Sequence, residues 1–197
     1  MLLLIAIVIG LGLGIARALI SGRAFAVPEV RMIWLVFIGF LPQFFVFFWT
    51  VTRELITNNR IAAIALVSSQ LLLLVFALVN RKQPGFWLLG IGLLLNLAVI
   101  LANGGLMPIT PETMAQLAPP GEQTDLLFPP GSRLGTTKDV VLNADDTRLW
   151  PLSDIFLFPQ SIPLRFAFSL GDVFISVGVL SFFWQSGDNR DLELSSM

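Results

Sequence analysis

Asp172 is the acidic residue set deepest within an apolar stretch, in Phe168-Ser169-Leu170-Gly171-Asp172-Val173-Phe174-Ile175. A carboxyl group in such surroundings is costly unless it is hydrogen-bonded or paired, so it marks either a binding site or a bond between helices. Helical periodicity supplies its companions. An α-helix turns about 100° per residue, so positions 4, 7 or 11 apart share a face. Arg165, Ser169, Asp172 and Ser176 form one such stripe, and Gly85, Gly92, Asn96 and Asn103 form another. At about 1.5 Å per residue, Asp172 lies roughly 12 Å from the start of its stretch and Asn96 roughly 10 Å from Asn103, so the two can meet. The functional reading is a polar pocket built from Asn96, Asn103, Gly104, Gly105, Asp154, Arg165, Ser169 and Asp172. The alternative is that Asp172 caps a kink at Gly171, or bonds Asn96 to hold two helices together.

Other chemistry is thin. The chain has no Cys, no His and no Tyr, which excludes thiol catalysis, disulfides, histidine acid–base work and the usual ligation of zinc, haem or iron–sulfur clusters. No cofactor, metal or catalytic residue is expected. Asp145-Asp146 with Asn143 lacks the spaced ligands and glycine of a calcium loop and reads as a solvated turn. Lys82 and Lys138 both fall in connections, so a serine–lysine dyad within the membrane has no lysine. Gly-Leu-Gly-Leu-Gly at 10–14 follows no strand and reads as helix packing rather than a nucleotide fingerprint. A net charge of -1 with dispersed basic residues argues against nucleic acid.

The elements that must position these residues are apolar blocks. Of 197 residues, 55% are hydrophobic and 13% charged, against about a quarter charged in soluble domains. Five blocks stand out: Leu2 to about Ile20, Val30 to Val51, Ile61 to Val79, Phe86 to Ala102, and Leu164 to Trp184. Each is close to the roughly 20 residues that cross a bilayer as a helix. The expected fold is an all-α membrane protein of about five transmembrane helices, with a long Pro-rich outer loop between the fourth and fifth. The expected regions are a four-helix part at 1–103, the loop at 104–163, the fifth helix at 164–185 and a polar tail at 186–197. Short connections at Ser21-Gly22-Arg23, Arg53-Glu54 and Arg81-Lys82-Gln83-Pro84-Gly85 make the first four helices antiparallel sequential neighbours. The first block lacks the leading basic residues and the cleavage site of a signal peptide, which argues for its retention.

Short cytoplasmic loops are enriched in Arg and Lys. Arg17, Arg23, Arg31, Arg81, Lys82 and Arg190 fall on one side and Arg53 and Arg60 on the other, which places the N-terminus outside and the C-terminus in the cytoplasm. The loop at 104–163 is then outside. Its proline density, with Pro119-Pro120, Pro129-Pro130, Pro151, Pro159 and Pro163, forbids a long helix or a central strand. Thr110, Pro111 and Glu112 predict one short capped helix over 111–117. The apolar run Leu149 to Phe158 reads either as an interfacial segment or as a loop packing on the helix ends.

The run Asn103-Gly104-Gly105-Leu106-Met107-Pro108, with Leu152-Ser153-Asp154 and the Ser169-to-Asp172 segment, resembles domain-of-unknown-function family 5317 over nearly the whole chain. The resemblance implies a bacterial cytoplasmic membrane and no assigned activity. It marks Asn96, Asn103, Gly104, Gly105, Met107, Pro108, Asp154, Ser169, Gly171 and Asp172 as family-pattern positions. From the residues themselves, Gly104-Gly105 after Asn103 can end a helix in a left-handed turn.

Three functions remain. The first is a non-enzymatic structural or accessory component of a membrane assembly, in contact with the lipid bilayer and with a membrane-protein partner through its outer loop or apolar faces. The second is a small-molecule or ion binder or carrier with an outward-facing pocket around Asp172, which is either ionised against Arg165 or held neutral by burial. The third, ranked lowest, is an intramembrane lipid-modifying enzyme with Asp154 as second acid.

Overall fold

The computed structural model describes residues 1–49, 51, 58–118, 128–133, 137–159 and 164–186. Expectations placed on the Arg53-Glu54 connection, Pro119-Pro120, Pro163 and the polar tail with Arg190 lie outside the described residues.

The described chain is mostly helical. Its α-helices are α1 (Leu2–Ser21), α2 (Trp34–Gln43), α3 (Asn59–Val79), α4 (Phe86–Ala102), α5 (Pro111–Leu117) and α6 (Leu170–Ser186). Helix α2 runs on into a π-helical turn, Phe44–Phe48, closed by Trp49 N–H donating to the Phe44 carbonyl at 2.9 Å. Pro42 sits just before this turn; it has no N–H to donate, and the ladder widens beyond it. Helices α1 and α3 are long and apolar enough to cross a membrane; Trp34–Phe48, α4 and α6 are shorter apolar helices.

The helices pack in the order α1, α6, α4, α3, α2. Sequential helices are neighbours from α2 through α4, as expected, but α1 sits principally against α6, which corrects the expectation for the first helix. The reason is a stripe of small residues. Ala6, Gly10, Gly14 and Ala18 form the buried face of α1, and at Gly14 an added Cβ would fall on the Phe183 carbonyl of α6. Helices α4 and α6 approach by the same means: an added Cβ would collide with backbone across the interface at Gly85, Gly92 and Gly178, and at Gly171 with both the Asn96 side chain and backbone. Phe86 fills the space beside them, edge-on to Phe76 at 5.5 Å and Phe182 at 5.6 Å.

Two findings depart from an all-α fold with a fifth helix beginning at Leu164. Helix α6 begins at Leu170, because Ala167–Phe168 (β4) pairs antiparallel with Phe156–Leu157 (β3). The alternating Phe166 and Phe168 stack on Phe158 and Phe156 at 4.7 and 5.7 Å, which favours extended chain over helix here. Second, Met107–Ile109 (β1) pairs parallel with Asp139–Val141 (β2). At three residues each, these strands stay within what the proline density permits.

Between α4 and α6 the chain forms a cap. It begins where Gly104 and Gly105, with φ of 81° and 94°, turn α4 back, and Gly105 N–H donates to the Ile100 carbonyl at 2.8 Å. Helix α5 has the expected start: Thr110 Oγ1 accepts from Thr113 N–H at 3.3 Å. Met107 and Val140 share a buried core with Phe47, Leu66 and Ile100, so the cap continues the helix core. Ile109, Met114 and Val141 make a second small core within the cap.

Candidate functional site at the junction of cap and helices

Ser169 is the N-cap residue of α6 and Asp172 lies three residues on, the spacing of a capping box. Asp172 N–H donates to Ser169 Oγ at 3.1 Å, and Ser169 N–H donates to Asp172 Oδ2 at 3.2 Å. Asn96 joins both from α4: its Nδ2 donates to Asp172 Oδ1 at 2.9 Å, and its Oδ1 accepts from the Ser169 hydroxyl at 2.8 Å. Ser169 and Asn96 are buried and Asp172 half-buried. The four bonds form a closed set between two helices, and glycine is required at 171 because a Cβ there would occupy the place of the Asn96 side chain. A carboxylate in the first turn of α6 also complements the positive end of the helix dipole.

Asp154 lies in the cap, 2% exposed. Its N–H donates to the Pro108 carbonyl at 3.1 Å, and Lys138 Nζ donates to its Oδ2 at 2.5 Å. Lys138 also approaches Asp139 Oδ1 at 3.4 Å. Its side chain is 31% exposed, whereas that of the Asp154 it meets is 3% exposed. Burial pushes the Asp154 carboxyl up to about 7; Lys138 opposes that rise and Asp139 and Asp172 add to it. Burial works against the Lys138 ammonium, but Asp154, Asp139 and Asp172 outweigh it and hold its pKa above the usual lysine value. Asp172 thus lies within electrostatic reach of the cap's ion pair. Asp154 Oδ1 is buried without a hydrogen-bond partner.

The structure brings Asn96, Ser169 and Asp172 together, with Asp154 within electrostatic reach of Asp172. The other expected pocket residues are elsewhere. Asn103 ties the end of α4 to the cap: Nδ2 donates to the carbonyls of Val99 and Arg148, both at 2.8 Å, and Oδ1 accepts from Arg148 N–H at 2.9 Å. Gly105 packs on Ala63 of α3, and with Gly104 it borders an open groove of about 390 Å³ lined by Ala63, Val67, Leu71 and Leu101. That groove is apolar and holds none of the charged groups. Arg165 is not on the Asp172 stripe, because residues 164–166 precede α6; its Nη1 donates to the Ala118 carbonyl at 2.9 Å on the exposed surface.

Lys138 is the residue that sequence reasoning passed over. The signal for it is Asp154 itself, a carboxylate in an apolar run that needs a counter-charge, with Lys82 and Lys138 the only lysines in the sequence. Asp145 and Asp146 lie on an exposed 3-10 turn with Asn143 Nδ2 donating to Asp146 Oδ2 at 3.1 Å. Among the described residues, no three His, Cys, Asp or Glu side chains are grouped to hold a metal ion.

No curated protein and no solved structure matches this chain. A family model described as a family of unknown function does match, over residues 28–184, a span that includes α2, α3, α4, the cap and nearly all of α6. With most of its length and every residue of this junction inside that match, the chain belongs to the family of unknown function DUF5317.

Proposed function

We propose that this chain is a multi-pass protein of the bacterial cytoplasmic membrane, with five spanning helices and an outer cap, and that it serves as a non-enzymatic structural or accessory component of a membrane assembly. Support for the membrane comes from an inside-out distribution. Large apolar side chains stand exposed on every long helix, among them Val8 (64%), Phe37 (68%), Ile64 (69%), Trp87 (63%) and Val177 (44%), while Ser69, Asn96, Ser169 and Ser176 are buried. Water penalises that arrangement and lipid rewards it. At 17 residues, α4 and α6 are roughly 26 Å long, within the range that local bilayer thinning accommodates.

Orientation draws on the contacts at one end of the helices. Arg17 Nη1 donates to the Trp184 carbonyl and Ala26 N–H to the Ser186 carbonyl, while Asn80 Nδ2 donates to the Arg31 carbonyl. Arg17, Arg23, Arg31, Arg81 and Lys82 thereby gather at the end opposite the cap. That concentration favours a cytoplasmic end there and an outer cap.

The observation that carries the structural role is that Asn96, Ser169 and Asp172 bond one another, which is what interhelical polar residues do as glue. The test is extraction in mild detergent, a native gel, and crosslinking from Phe37 and Trp87. One assembly of fixed stoichiometry crosslinked from these faces is expected. A monomer crosslinked to lipid alone overturns the assembly role, and a chain that stays monomeric in buffer without detergent overturns the membrane reading.

The second reading, a small-molecule or ion binder beside Asp172, draws on the free Asp154 Oδ1. Asp172→Asn separates the two in a protein that accumulates normally: lost ligand binding or a lost growth phenotype favours the binder, and an unchanged phenotype favours the structural role. The lipid-modifying reading needs a second acid beside Asp172, and its candidate Asp154 has one oxygen paired with Lys138.

A further inference from the structure

We infer that Asp154 is a proton-binding site that latches the cap to the helices, so that the cap is held more firmly when this carboxyl is protonated and loosens when it ionises.

Two observations of geometry carry this, and the local charge balance agrees with them. The first is the oxygen left over. Lys138 takes Oδ2, but Oδ1 is enclosed in a residue 2% exposed and accepts no hydrogen bond. An ionised carboxylate wants donors on both oxygens, whereas a proton on Oδ1 removes the charge that lacks one. The charge balance points the same way. The charged groups that act on Asp154 are Lys138 just before β2, Asp139 on β2 and Asp172 on α6. One ammonium thus faces three carboxyls, and full ionisation leaves a surplus of two negative charges; protonating the most buried carboxyl relieves half of it.

The second is position. Asp154 is fastened by its own N–H to β1, and Lys138 adjoins the β1–β2 ladder, where its carbonyl accepts from Met107 N–H at 3.1 Å. The turn Trp150–Leu152 just before Asp154 lies against α4 and α6. Asp154 therefore follows by two residues the turn through which the cap rests on the helices, and charge on its carboxyl acts on Asp172 of α6 across that seam.

The direction with pH follows from linkage. The closed seam holds the Asp154 proton up to about 7, where the open, solvated seam releases it near 3.8. The closed state binds more protons between those values, so closure weakens as pH rises through that window and is level above it. Lys138, with its pKa raised, stays charged throughout this range.

The experiment is hydrogen–deuterium exchange on the full chain in detergent or nanodiscs between pH 5 and 8, corrected for intrinsic rates. It reads the amide of Arg148, which donates to Asn103 Oδ1 at the end of α4, together with those of Met107, Leu142 and Asp154 inside the cap. Protection should fall by about tenfold or more across the range, following the tenfold per pH unit of a linked proton. In Asp154→Asn, which keeps the shape without the titration, the fall should vanish. Flat protection in the native chain, or an undiminished fall in Asp154→Asn, overturns the inference. Should that variant not fold, infrared spectra of the native chain with carbon-13 aspartate decide. A carboxylic-acid band lost with a midpoint above about pH 6 supports the site, because ordinary aspartates titrate near 3.9; its absence overturns it.

Discussion

Ser169 and Asp172 cap each other across the first turn of α6, each accepting a hydrogen bond from the other's backbone N–H. The reciprocity places the start of the helix: the chain is extended through Phe168 and helical from Leu170. It also orients both side chains toward Asn96, so one local motif supplies the cap of one helix and the tie to another.

Ser169→Ala removes the cap oxygen and leaves Asn96 Oδ1 buried without a donor. The first loss costs about 1 kcal/mol and the second about 1 to 2. Asp172→Asn keeps one acceptor oxygen but sets an amide N–H against a second donor, Asn96 Nδ2 or Ser169 N–H, and should also cost about 1 to 2 kcal/mol. Thermal unfolding of both variants in one detergent checks the two losses, and an unaffected Asp172→Asn would sink the closed set of bonds.

The glycines should divide sharply. Gly92→Ala and Gly171→Ala place a methyl on the backbone or the Asn96 side chain of the facing helix, and each should cost about 3 kcal/mol or prevent folding. Gly12→Ala, with nothing within 4 Å of the added methyl, should leave stability unchanged or raise it by up to about 1 kcal/mol through helix propensity. Melting temperatures of the three variants, measured side by side, test the helix packing order.

Above the Asp154 pKa of about 7, Lys138→Met leaves that carboxylate buried without its counter-charge. Breaking such a pair costs about 3 kcal/mol, while replacing both partners with apolar groups is often near neutral. The double variant Lys138→Met with Asp154→Leu should therefore be more stable than Lys138→Met alone. Denaturant unfolding of the two chains checks this, and a double variant less stable than the single one would sink the pairing as described.

Arg165→Ala should change stability by less than about 0.5 kcal/mol, because the guanidinium bonds a carbonyl on the exposed surface. A large loss would mean that Arg165 reaches Asp172 after all. The measurement is the same thermal melt, and it separates the observed fold from a helix that begins at Leu164.

Much of the helical plan was legible because hydrophobic blocks and their breaks are local properties. The extents of α3 and α4, the short helix after Thr110, and the left-handed exit at Gly104-Gly105 all follow from residues within a turn or two of one another. The meeting of Asn96 with Asp172 was legible too, because depth along a helix is a matter of counting residues. The start of the last helix was misjudged: apolar character at 164–168 suits a strand as well as a helix, and a partner at Phe156–Leu157 decided for the strand.

The sequence by itself determined which segments are apolar, where their polar residues fall on each helical face, and that the inventory of reactive side chains is small. Only the tertiary structure decided that α1 lies against α6, that Lys138 is the counter-ion of Asp154, and that Arg165 turns away. The division has a physical cause. Helix periodicity acts over a few residues, whereas a salt bridge across 16 positions or a helix contact across 167 depends on how the chain closes on itself. Backbone fit between glycine faces selects that closure, and no local pattern encodes it.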